Sequence, residues 1–146
     1  MKFFITGEVS HDAHPEKFSL ISKEIEKKIN ILMAENDYGD AVESLDIIPT
    51  IFSFQFQVSL SYKERKLYRK KDKSTDYRLA IDYNEFINAD DEGKRRLLIE
   101  NILHAIRDLK RKIKKGFDGD KLEADILSLF NLGAEDIRER NEQKAP

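Results

Sequence analysis

From Phe52 to Tyr62 the chain alternates without a break: Phe52, Phe54, Phe56, Val58, Leu60 and Tyr62 are apolar, and Ser53, Gln55, Gln57, Ser59 and Ser61 between them are polar. Successive side chains of a strand point to opposite faces, so a period of two gives one face for a core and one for water. Strands buried on both sides in parallel sheets read instead as unbroken apolar runs, so the alternation predicts an antiparallel sheet. Tyr77, Leu79, Ile81 and Tyr83 repeat the pattern, and the charged residues from Lys63 to Thr75 are expected to form a long basic hairpin tip between the two runs. Pro49 has no ladder donor and is expected at a kink or along an edge. Residues 1–8 read as a further strand.

The period then changes. Pro15 suits a first helical position, where its missing N–H had no partner to lose. Phe18, Ile21, Ile25, Ile29, Leu32 and Met33 follow at spacings of three and four, with charged residues mostly between them. The stripe stops at Asn36-Asp37-Tyr38-Gly39-Asp40, whose glycine and Asx residues suit a helix exit and a loop. A second long helix is expected from Asn88 to Lys115, with Asn88 and Asp91 as a capping pair, acidic residues in its first turn and basic residues in its last. At 1.5 Å per residue it would be roughly 40 Å long. Gly116 would stop it. A shorter helix, capped by Asp120 with Glu123, would bury Leu122, Ile126, Leu129 and Phe130.

The expected fold is therefore α+β: an antiparallel sheet of about four strands, covered on one face by two long helices and one shorter helix. One domain would occupy residues 1–133, with a charged tail over 134–146 that is partly helical or disordered. At 146 residues the chain is long enough to bury a core unaided, and it contains no cysteine, which removes disulfides, thiolate metal sites and cysteine nucleophiles. No run approaches the roughly 18 apolar residues of a membrane span. A soluble, cytoplasmic protein is expected.

The residues offer little chemistry. The glycines at 7, 39, 93, 116, 119 and 133 are too scattered for a phosphate or dinucleotide loop, and no nucleophile elbow is present. His11 and His14, with Asp12, invite a metal reading but lack a fourth ligand, and His104 lies between apolar residues of the long helix. Asp118-Gly119-Asp120 lacks the rest of a calcium loop, and Asp120 is better read as a cap. No catalytic residue, metal or cofactor is expected.

Charge is uneven. Residues 1–62 carry a net −5, residues 63–84 a net +4 and residues 85–146 a net −1. Two surfaces follow as candidates for binding a macromolecule. Glu35, Asp37, Tyr38, Asp40, Glu43 and Asp46 would join an aromatic anchor to acidic groups for a protein partner. Lys63, Arg65, Lys66, Tyr68, Arg69 and Lys70 form a basic alternative, on which a nucleic acid could find phosphate contacts and a stacking platform.

In order, MKFFITGEV, ENDYGD, SYKERKLYRKK, DYRLAIDYNEF, LLIENILHAI and FDGDKLEADI resemble the immunity protein 44 family of bacterial polymorphic toxin systems, over roughly residues 1–131. The resemblance implies a small cytoplasmic protein that binds and neutralises a cognate toxin domain without catalysis. It brings no contact residues with it, and self-association stays open.

Overall fold

The computed structural model describes residues 1–53 and 66–137. Its elements are β1 (Lys2–Ile5), β2 (Glu8–Val9), α1 (Pro15–Glu35), β3 (Ser44–Ile51), β4 (Lys66–Arg69), β5 (Ser74–Ala80), α2 (Tyr83–Asn88), α3 (Asp91–Lys112) and α4 (Gly119–Leu129), followed by a 3-10 turn at Ala134–Asp136. The alternating run from Phe52 to Tyr62 lies outside the described residues from Phe54 onward. No helix among the described residues is long and apolar enough to cross a membrane.

The strands lie in the order β1–β3–β5–β4, and β2 pairs with β3 beyond the end of β1. This corrects the antiparallel expectation. β1, β2 and β5 all run parallel to β3, and the antiparallel pair is the β4–β5 hairpin. The physical reason is the connection: α1 carries the chain back from the end of β2 to the start of β3, so the two neighbours run the same way. The described residues also hold four helices rather than three, because α2 forms a short turn capped by Asp82, whose carboxylate accepts from the Glu85 N–H at 2.9 Å. The expected long hairpin tip is a tight turn at residues 70–73, with Lys73 at a φ of 65°. The residues from Lys66 to Arg69, expected in that tip, are strand instead.

Pro49 is not at an edge. It lies in β3, between β1 and β5, and is buried. The Ile47 and Ile51 carbonyls accept from the Thr6 and Ser10 N–H groups at 2.9 and 2.8 Å, so residue 49 faces the same neighbour. Its missing donor therefore falls opposite the break between β1 and β2, where no ladder bond is lost. Gly7 sits in that break because a Cβ there would overlap the Phe18 ring.

Buried Phe3, Leu45, Ile47, Tyr77 and Leu79 point from the sheet into one core with Ile25 and Ile29 of α1 and Leu98 and Ile102 of α3. From Leu97 to Ile106 every residue of α3 is buried, Glu100, Asn101 and His104 included. That helix lies among the sheet, α1, α2 and α4.

α1 also seals the outer edge of β1. The Phe3 N–H donates to Asn30 Oδ1 at 2.9 Å, Asn30 Nδ2 donates to the Phe3 carbonyl at 2.7 Å, and the Ile5 N–H donates to Glu26 Oε2 at 2.8 Å. Side chains thus replace the missing strand. Asn30→Ala is expected to cost about 1–2 kcal/mol, because it removes two bonds to backbone groups that water can only partly solvate. Urea unfolding reads the change, and an unaltered midpoint would show that the edge is not held this way.

Candidate partner-binding surface

The loop after α1 is pinned from two sides. Gly39, at a φ of 97°, turns the chain so that the Ala41 N–H donates to the Gly116 carbonyl and the Asp118 N–H to the Tyr38 carbonyl, both at 2.9 Å. On the other side the Glu43 N–H donates to the Lys73 carbonyl at 3.0 Å, and Arg69 Nη2 donates to the Ala41 carbonyl at 2.7 Å. The acidic loop and the basic hairpin turn are therefore neighbours. Two surfaces of opposite sign were expected, and the fold sets them side by side, where their fields cancel over a distance.

Among the acidic candidates, Glu35, Asp37, Asp40 and Glu43 are exposed. Tyr38 is 2% exposed, with its hydroxyl donating to Asp125 Oδ2 at 2.7 Å and the Lys121 ammonium over its ring. Burial, then the bond to Asp125, pushes the Tyr38 phenol far above its ordinary pKa. Tyr38 fastens the loop to α4 and presents no anchor to a partner. Asp46 stands apart on β3, half-buried, accepting from the Thr6 hydroxyl at 2.9 Å. Its direct neighbour across the ladder is Asp76. Burial raises the Asp46 pKa against the Thr6 bond, and the nearby Asp76 and Glu26 carboxylates add to the rise.

Of the basic candidates, Lys63 and Arg65 lie outside the described residues, and Lys66 and Tyr68 are placed as backbone of β4. Arg69 and Lys70 are exposed but engaged, Arg69 with the Ala41 carbonyl and Lys70 with Asp76 at 3.3 Å. His11, Asp12 and His14 are exposed, with Asp12 tied to the Ser10 hydroxyl at 2.9 Å. Among the described residues no three His, Cys, Asp or Glu side chains are grouped to hold a metal ion.

Sequence reasoning took the basic end of α3 as a complement to the helix dipole and missed its second use. Arg107 Nη2 and Lys110 Nζ donate to the two oxygens of Glu123 at 3.0 and 2.9 Å, and Lys110 also reaches Asp120 at 2.9 Å, which joins α3 to α4. Arg107, Lys110 and Glu123, with Arg111, Lys114 and Ala134, line an open cleft of about 520 Å³. The spacing of Arg107, Lys110 and Arg111 along one helix face was the available signal.

Burial pushes the Glu123 pKa upward, but the Lys110 and Arg107 bonds outweigh it and leave the carboxyl below its ordinary 4.5. A depressed folded pKa gives stability that is complete above the unfolded value and is lost as the pH falls through the folded value. Wild type should therefore lose more stability than Glu123→Gln on going from neutral pH to below the carboxylate range. Parallel stability profiles for the two proteins, from urea unfolding at several pH values, would remove Glu123 as a source of acid lability.

A family model described as immunity protein 44 matches residues 1–131, which takes in every strand and α-helix described above. No curated protein and no solved structure matches the chain.

Proposed function

The chain belongs to the immunity protein 44 family, and on that premise we propose that it binds a cognate bacterial toxin domain and neutralises it by covering the surface the toxin needs. The observation that carries this reading is the extent of the match: it spans the fold from β1 through α4, so the domain as a whole is the family's unit. Neutralisation by contact asks for a surface held ready before the partner arrives, since ordering loops on binding costs affinity. The loop at residues 36–43 meets that need through its backbone bonds to residues 73, 116 and 118. Its exposed Asp37, Asp40 and Glu43, with Glu35 at the end of α1, form the acidic margin of the contact. The protein acts in the cytoplasm of the bacterium that makes the toxin, as part of a polymorphic toxin system, and does so without catalysis. A nucleic-acid reading has less support, because Arg69 and Lys70 already serve the fold.

Co-expression tests the proposal. The toxic C-terminal domain encoded beside this gene should kill cells alone, spare them when the chain is co-expressed, and be retained on the tagged chain. Equal killing with and without the chain, for each neighbouring toxin domain, would defeat it.

A further inference from the structure

Parallel sheets are ordinarily covered on both faces, and an uncovered face in such a sheet asks for an explanation. In this protein α1 and α3 pack on the face that carries Phe3, Leu45, Ile47, Tyr77 and Leu79. No helix among the described residues packs on the other. There the register puts Phe4, Asp46 and Asp76 in one row across β1, β3 and β5, with Ile48 beside Arg78 in the row toward the strand ends. Ser44, Ser74 and Ala80 keep the surrounding face low. Phe4 is 43% exposed, a large apolar ring in water at the margin of an acidic row.

Among the described residues the row is poorly compensated. Like charges directly opposite each other on a sheet are unfavourable. Against Asp46 and Asp76 stands the Lys70 ammonium, 3.3 Å from Asp76 and itself 58% exposed. Arg78 is taken by Glu8. Burial is the first cause of the raised Asp46 pKa, and the neighbouring Asp76 and Glu26 carboxylates add to it. An arriving guanidinium or ammonium would find both a fork of carboxylate oxygens and an aromatic face, the two features such groups bind best.

We propose that the sheet face turned away from α1 and α3, centred on Phe4, Asp46 and Asp76, is where this protein docks its protein partner, and that the partner presents a basic element bearing arginine or lysine to it. The proposal deepens the toxin-binding reading and rests on it. The net −5 of residues 1–62, which supply Phe4 and Asp46, suits a basic partner.

The probe is the toxin domain encoded beside this gene, titrated by calorimetry against the full chain. Asp46→Lys and Phe4→Ser are each expected to weaken binding by about 100-fold or more, and wild-type affinity should fall as salt rises. Leu20→Ser, at a residue 69% exposed on the far side of α1, should leave affinity within about threefold. Asp46→Asn and Asp76→Asn remove charge without reversing it, and they carry the test if the lysine variant fails to fold. Wild-type binding together with near-wild-type affinity in the folded face variants would overturn the docking face and leave the toxin reading intact. Failure of the wild type to bind or protect would overturn that reading, and the docking face with it. A dimer of the chain alone that Phe4→Ser dissolves would give the face to a second copy and likewise overturn the proposal.

Discussion

Gly39→Ala is expected to destabilise the protein by about 2–4 kcal/mol. Holding an L-residue in the left-handed region costs roughly 1–2 kcal/mol, and here the added Cβ would fall 2.1 Å from the Gly116 carbonyl oxygen, which is backbone and cannot swing aside. Relief requires the two segments to part, and that breaks the bonds from Ala41 to Gly116 and from Asp118 to Tyr38. Urea unfolding would show the loss as a lower midpoint with an unchanged slope. A change under about 0.5 kcal/mol, the size of an ordinary surface substitution, would mean that the loop is not clamped to the α3–α4 connection.

The second large effect has the opposite sign. Asn101→Leu should stabilise the fold by about 1–3 kcal/mol, because Asn101 is 0% exposed and neither its oxygen nor its nitrogen has a hydrogen-bond partner. Leucine is of similar size, is a better helix former, and would join the apolar set that already includes Leu98, Ile102 and Ala105. Thermal unfolding should move up by roughly 3 °C per kcal/mol for a domain of this size. A lower midpoint would show that the amide is satisfied in solution.

The helices were legible because each has one wide apolar stripe and a recognisable end. Their caps were less so. Asp90, rather than Asn88, accepts from the Gly93 N–H, and Asp118, rather than Asp120, accepts from the Lys121 N–H. Each start lies in a cluster of Asx residues, and spacing alone does not choose among neighbours that could all reach a free donor. α2 was missed because six residues are too few for a period to show. Strand direction was misread for a deeper reason. Alternation reports that one face is covered, and it is silent about which way the neighbouring strand runs. In β5, and in β3 as far as Pro49, the alternation comes from a face on which no helix among the described residues packs, in a largely parallel sheet, a combination the usual rule does not anticipate. The charged candidates could be picked from the sequence, but their partners could not. Tyr38 meets Asp125, 87 residues away, and Asp46 meets Asp76 through the register of the sheet.

Asn30 and Glu26 have one more effect. An extended segment of another molecule cannot readily zip onto β1, because the Phe3 N–H and carbonyl and the Ile5 N–H that it would grip are already occupied. Recognition at that border falls to side chains, which substitutions can exchange one at a time. The scaffold can then keep its shape while its choice of target drifts.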